Sequence, residues 1–238
     1  MLSIVGLGPG AKPGRTLEAQ AALEEAQVLC GYTLYLEPLR PEFPDKRFVA
    51  TGMRGEAERC REALRLSREG MRVALCCSGD AQVYGMASLV LELADESEDV
   101  RVIPGVTAAL SAAALLGAPL SGDFAVISLS DLLTPWERIE RRLRGAGEGD
   151  FPVALYNPAS RTRKDQLARA CDILLAFRGE KTPCGIARCI AREGQQTEIL
   201  TLGELRDRQL DMLTTALIGS SETVIRGGRL LTPRGYRL

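Results

Sequence analysis

Apolar runs and amphipathic stretches alternate along the first half of the chain. Residues 2–5 (LSIV) read as a short buried strand. From Thr16 to Val28 the apolar positions are 17, 21, 22, 23, 26 and 28, a helical spacing, and Thr16 is placed to cap it. Glu56 to Glu69 reads as a second helix stopped by Gly70. MRVALCCSG (71–79) is a buried strand running into a glycine turn. A helix over Val83–Asp95, a strand over Val100–Ile103 and a small-residue helix over Thr107–Leu116 follow. This βαβα alternation predicts an open, mainly parallel sheet.

The pattern changes after Gly117-Ala118-Pro119-Leu120. A strand at 124–129 precedes a helix that starts near Pro135, and GAGEGD (145–150) reads as a loop. A strand at 151–156 ends in Asn157-Pro158, followed by a helix over about 162–177 and strands at 183–188 and 196–201. A short helix at 203–208, a strand at 214–218 and an irregular TPRGYRL tail complete the chain. The predicted class is α/β, with two α/β domains at 1–117 and 121–238 and the boundary at 117–121. No internal repeat or low-complexity segment is present.

A length of 238 residues suits one large or two small domains, and 45% hydrophobic with 26% charged residues is ordinary for a globular protein. A net charge of −1 gives no reason to expect nucleic acid or an anionic membrane as partner. No apolar run reaches the roughly 18 residues that span a bilayer. No basic segment precedes the first strand, so no signal peptide is expected and the expected location is cytoplasmic. The seven cysteines are odd in number and form no CxxC pair, which fits buried thiols in a reducing compartment. The chain has no histidine. A zinc set is therefore incomplete and no metal site is expected. The usual neutral-pH base is also missing, so proton transfer falls to Asp, Glu, Tyr, Cys or the substrate. Lysine stands only at 12, 46, 164 and 181, and the other 26 of 30 basic residues are arginine. An arginine codon bias is the plain reading and bidentate gripping of carboxylates the functional one, and composition alone does not separate them.

Open α/β sheets bind ligands beyond the carboxyl ends of their strands. Four turns stand at such ends: Gly6-Leu7-Gly8-Pro9-Gly10, Ser78-Gly79-Asp80-Ala81, Pro104-Gly105-Val106-Thr107 and Tyr156-Asn157-Pro158. Glycine permits close approach of backbone. The first turn lacks the G-x-G-x-x-G spacing of dinucleotide sites, and Pro9 has no N–H to offer an anion. Asp80 can accept hydrogen bonds from hydroxyls or an amine, or serve as an ordinary turn carboxylate. Thr107 can cap its helix and touch a ligand.

The order and spacing of these turns identify a family resemblance. GxGPG, a Gly-Asp turn, PG-[VIS]-[ST] and a turn after the first long strand of the second domain are the pattern of the tetrapyrrole (corrin and porphyrin) methylases. The chain resembles them over nearly its whole length. SGDAQVYGM (78–86), DFAVISLSDLLTPWERIERRL (123–143), LYNPASRTR (155–163) and TPRGY (232–236) look most like a subgroup that methylates a precorrin and contracts its ring. The resemblance implies S-adenosylmethionine as cofactor, bent in a cleft of two α/β domains. A sulfonium carries no phosphate, so the missing N–H of Pro9 costs nothing. Gly8 and Pro9 would line the substrate side. Gly79, Asp80 and Val83 would meet the cofactor, Thr107 and Ala108 would hold its methionine or ribose end, and Tyr156, Asn157, Ala187 and Arg188 would cover adenine. Two positions depart from the subgroup: Gln82 replaces a glycine and Gly122 a histidine.

Methyl transfer from a sulfonium is an in-line displacement that asks mainly for alignment. Ring contraction, which the resemblance also implies, asks for a base. Asp131 is the leading candidate, with a helix cap as its plain alternative, and Glu56, at the start of a helix, is the second. Ser128, Ser130 and Thr134 are candidates to hold substrate oxygens. Arg54, Arg161, Arg163 and Arg234 are candidates for substrate carboxylates, against a solvated surface role. Tyr32, Tyr84 and Tyr236 suit packing on the macrocycle or in the core, and Trp136 suits domain packing. The expected partner is a tetrapyrrole, with or without cobalt, and the expected assembly a homodimer. A methylase of another ring carbon, or a tetrapyrrole carrier without catalysis, are the alternatives. A dinucleotide oxidoreductase is disfavoured by the turn spacing and by the lack of an acidic residue ending a second strand.

Overall fold

The computed structural model describes residues 1–160 and 164–237. The N-terminal run forms β1 (Leu2–Gly6), buried throughout, and α1 (Leu17–Glu25) follows with the Thr16 hydroxyl accepting from Ala19 N–H. β2 (Val28–Tyr32), the single-turn α2 (Thr33–Leu36), β3 (Arg47–Thr51), α3 (Glu56–Arg68), β4 (Val73–Cys77), α4 (Ala87–Leu93) and β5 (Val100–Ile103) continue it. The sheet order is β3-β2-β4-β1-β5, and every pairing is parallel, as the alternation predicts. β1 shows why the strand is apolar on both faces: Leu2 and Ile4 pack with Cys60, Leu64 and Val90, and Val5 packs with Leu23, Leu29 and Leu36 on the other side.

The second half begins with α5 (Ala108–Leu116), β6 (Gly117–Ala118), β7 (Ala125–Ser128), α6 (Trp136–Glu148) and β8 (Val153–Tyr156). It continues with α7 (Gln166–Leu175), β9 (Pro183–Arg188), β10 (Gln196–Thr201), α8 (Leu202–Arg206), β11 (Thr214–Ile218), β12 (Val224–Arg226) and β13 (Arg229–Leu231). Its main sheet has the order β10-β9-β11-β8-β7, with β7 and β8 parallel and the other neighbours antiparallel. β12, β13 and β6 form a small separate sheet. The chain divides into two units, Met1–Ala108 and Ala109–Leu238. The expected boundary at 117–121 lies further along. Ala109, Ala112, Ala113 and Leu116 of α5 cluster with Ala154, Ala187, Leu217 and Leu230, so burial assigns that helix to the second unit.

Several elements depart from expectation. α1 stops at Glu25 and not at Val28, because Ala26 turns extended and the N–H groups of Gln27 and Val28 both bond to the Arg72 carbonyl, committing Val28 to β2. α4 starts at Ala87 and not at Val83: residues 81–86 wind into a turn closed by Ala87 N–H on the Ala81 carbonyl. The expected loop at 145–150 is helical through Glu148. A side chain at Gly147 would come within 2.5 Å of the Phe177 ring, so glycine serves helix packing there. The strands β2 and β3 and the β12–β13 hairpin had no counterpart in the predicted elements.

All seven cysteines are buried free thiols. Burial pushes Cys30 and Cys171 up to about 12 and Cys60 and Cys77 up to about 11, and raises Cys76 and Cys184 in the same sense. These six are expected to stay unmodified by a disulfide reagent at pH 8 until the protein unfolds. Rapid native-state reaction of any of them would contradict this packing.

Candidate functional site

In the first unit, three carboxyl-end turns meet through main chain. Gly8 and Gly79 pair reciprocally, N–H to carbonyl, at 2.9 and 2.8 Å. Both have left-handed φ, +74° and +68°. A Cβ on Gly105 would sit 2.2 Å from the Gly79 carbonyl oxygen and 2.6 Å from the Gly6 carbonyl, so backbone alone fits. Asp80, 8% exposed, ties the second and third turns together. Its Oδ1 accepts from Gln82 N–H at 2.8 Å and Val83 N–H at 3.1 Å, and its Oδ2 from Gly105 N–H at 3.0 Å. Burial raises its pKa, but the N–H donors of Gly105, Gln82, Val83 and Ala81 together outweigh burial, and the net shift is downward. The carboxylate therefore stays ionised and is spent first on its own turns. Gln82 keeps an exposed side chain and lends its N–H to this clamp.

The neighbouring turns carry further candidates. Pro9, Val83, Thr107 and Ala108 are half-buried around this junction. Tyr84, 52% exposed, and exposed Arg54 both hold left-handed φ, +56° and +67°. Such values in large residues are strained and cluster at functional turns. Glu56 is exposed in the first turn of α3, where its charge suits the positive end of the helix dipole.

In the second unit, the carboxyl ends of the parallel pair β7 and β8 are knotted together. The Ser128 hydroxyl accepts from the Asn157 side-chain amide at 3.0 Å and from Ser130 N–H at 3.2 Å. Asn157 is left-handed at φ +52°. Asp131 is not a helix cap: α6 is preceded by Pro135, which makes no side-chain cap bond. Instead Asp131 Oδ2 accepts from the Gln166 amide at 3.1 Å, at the start of α7. Sequence reasoning missed Gln166, which no motif marks. Thr134 is half-buried in the same loop, whose Leu133 is 93% exposed. Trp136 packs against the α6–α7 core with the Arg169 guanidinium 4.1 Å over its ring.

Strand alternation separates two candidates expected together. Tyr156 and Ala187 lie on the α5 face of the sheet, and the Tyr156 hydroxyl accepts from Ala109 N–H at 2.7 Å, satisfying a first-turn donor of α5. Cys184 and Ile186 belong to the other face. Arg188 follows them by the period of two and lines a cavity of about 680 Å³ there with Ile186, Glu198 and Asp211. Its guanidinium bonds Asp211 at 2.8 Å. Arg234 is also apart: it lines a cavity of about 450 Å³ with Gly122, Asp123, Asp150 and Glu222, by the amino ends of β7 and β8. Gly122, the position of the missing histidine, thus lies at the opposite end of β7 from Ser128. Arg161 and Arg163 fall outside the described residues. Tyr236 is exposed, with the Arg234 guanidinium 6.0 Å from its ring centre.

The three turns of the first unit, residues 6–10, 78–81 and 104–107, contain no lysine or arginine. Their one charged group is the ionised Asp80 carboxylate, and the nearby Arg15 is paired with Glu42, which suits a cationic ligand better than a phosphate. The fold and these turns define an α/β protein whose glycine turns and one ionised carboxylate gather at the carboxyl ends of a parallel sheet. The chain belongs to the tetrapyrrole (corrin/porphyrin) methylases, whose family profile matches residues 1–206. It is 46% identical, over the full length of both chains, to a probable cobalt-factor III C(17)-methyltransferase of Salmonella typhimurium. It is 40% identical to a precorrin-3B C(17)-methyltransferase of Sinorhizobium sp, across 99% of this chain and 96% of that one. The crystal structure of the methyltransferase CobJ superposes with a TM-score of 0.90 at 37% identity, covering 98% of this chain and 99% of that one.

The lowered Asp80 pKa has a signed consequence. Its stabilisation is fully present above the unfolded-state value of about 3.9 and is lost as pH falls through the lower folded-state value. Asp80→Asn is expected to remove that acid-limb dependence and to cost on the order of 1–3 kcal/mol near neutral pH, since all three N–H donors lose a charged acceptor and at least one is left without an acceptor. Urea melts between pH 3 and 7 measure both. An unchanged acid limb would contradict the clamp.

Proposed function

We propose that the chain transfers a methyl group from S-adenosylmethionine to carbon 17 of precorrin-3B or cobalt-factor III, with ring contraction, giving precorrin-4 or cobalt-precorrin-4 in cobalamin biosynthesis. The observation that carries the reading is the set of basic-residue-free glycine turns held by the ionised Asp80. The names of the full-length relatives supply the substrate. In this reading the protein acts as a homodimer in the cytoplasm. Among the described residues no helix is long and apolar enough to cross a membrane.

The cofactor supplies a methyl group already activated by the sulfonium charge. The chain's part is to bind and align. The main chain of Gly8, Pro9 and Gly79 shapes the floor, and Asp80 holds that floor rigid and negative. Val83, Thr107 and Ala108 contact the donor, and Tyr156, Asn157 and the Ala187 backbone contact its adenine. Arg188 contributes main chain only, because its side chain is engaged by Asp211. Arg54 and Tyr84 meet the tetrapyrrole. Asp131, oriented by Gln166, accepts the hydroxyl proton that ring contraction releases, while Ser128, Ser130 and Thr134 hold substrate oxygens. Arg161 is a further carboxylate partner in this reading. Glu56 and Arg234 take supporting places at most.

The test is turnover with S-adenosylmethionine and each tetrapyrrole, metal-free or cobalt-bearing, in separate reactions. One equivalent of S-adenosylhomocysteine per methylated, ring-contracted product is expected with one of them. Binding without release of S-adenosylhomocysteine would mark a carrier, and methylation at another carbon would mark the other methylase reading. Asp80→Ala is expected to weaken cofactor binding at least about tenfold by calorimetry, roughly 1.4 kcal/mol. Unchanged affinity would remove Asp80 from the site.

A further inference from the structure

Arg59, in the second turn of α3, is 4% exposed. No carboxylate pairs with it among the described residues. Its Nε donates to Thr51 Oγ1 at 2.7 Å, its Nη2 to the Gly52 carbonyl at 2.9 Å and its Nη1 to Met86 Sδ at 3.5 Å. The guanidinium carbon lies 6.0 Å from the centre of the Tyr32 ring. Burying a full charge against neutral acceptors is costly, and a packed apolar side chain of similar volume would be the cheaper choice for stability alone. The fork earns its place by what it joins. Thr51 ends β3, Tyr32 ends β2, and Met86 closes the turn after β4. These three strands are parallel, so one cation spans the carboxyl ends of three adjacent strands.

The two turns it holds carry Arg54 and Tyr84, the two strained, exposed side chains of this edge. Left-handed conformations in such residues persist only where the surroundings over-determine them. The Gly52 carbonyl is two residues from Arg54, and Met86 is two residues from Tyr84. A planar guanidinium sets both turns at once, which a point-charge ammonium cannot do.

We propose that Arg59 is a positioning residue for the tetrapyrrole: it sets Arg54 and Tyr84 in register so that the first meets a substrate carboxylate and the second packs on the ring. This rests on the function proposed above, and it places a specificity determinant in a side chain that does not itself touch substrate.

The experiment compares Arg59→Met, Arg59→Lys, Arg54→Ala and the double variant Arg54→Ala/Arg59→Met. Hydrogen exchange of segments 51–55 and 81–86 is read together with steady-state kinetics. Arg59→Met is expected to speed exchange in both segments about tenfold while the amides of β1 stay protected. It is expected to raise KM for the tetrapyrrole about tenfold, with kcat and S-adenosylmethionine affinity changed less than about threefold. Arg59→Lys should fall between, and the double variant should raise KM by clearly less than the product of the two single effects, because Arg59 acts in part through Arg54 and in part through Tyr84. If Arg59→Met fails to fold, Arg59→Lys carries the same readouts. Unchanged exchange in either segment, or additive KM effects, would overturn the proposal. A wild-type protein that turns over no tetrapyrrole would instead defeat the function, and the exchange data would still decide whether Arg59 couples the two turns.

Discussion

The first unit depends on a contact that only main chain can make. Gly6 and Gly105 bring strand-end turns within a distance that excludes a methyl group on either, and Gly79 completes the contact in a left-handed conformation, φ +68°. Asp80 converts this contact into a fixed geometry by accepting from both its own turn and the next. Each of these is a hydrogen bond to a charged acceptor, worth about 1.5–3 kcal/mol. The result is a rigid, carbonyl-rich floor with a negative centre, made without one basic side chain. Phosphate recognition requires the reverse arrangement, with convergent N–H donors and positive charge.

The second unit solves a related problem with the opposite charge. Arg178, 7% exposed, donates to the carbonyls of Gly219, Ala146 and Phe151, joining the end of β11, the last turns of α6 and the approach to β8. Asp150 stands 3.7 Å from its Nε and also accepts from Ser221 N–H. This hub fixes the amino ends of β7 and β8. The reacting groups are assigned to the other ends, where Ser128, Asn157 and Asp131 are held by one another and by Gln166. On the proposed function, stability and chemistry occupy opposite ends of the same short strands.

The sequence made some of this legible and hid the rest for physical reasons. The glycine turns could be read because glycine and proline at strand ends signal local conformation directly, and β9, β10 and β11 appear at their expected limits. Val28 misled, since an apolar residue in helical phase can equally begin a strand, and the hydrogen bonds to Arg72 decide it. GAGE misled because two glycines suggest a loop, whereas Phe177 from a distant segment requires a residue without a side chain at position 147. Arg59 and Gln166 were invisible as individuals: an arginine or glutamine on a helix has no signature until the fold shows what its side chain reaches. Ala187 and Arg188 part at the level of side chains because neighbours along a strand face opposite ways.

The most direct measurement is a crystal structure of the protein grown with S-adenosylhomocysteine. The account predicts density for the ligand's amino-acid end and sulfur against the main chain of Gly79, Asp80 and Thr107, with the Asp80 carboxylate still bonded to Gly105 N–H. Ligand bound away from these turns, or an Asp80 carboxylate released from Gly105 to take the ligand, would contradict it.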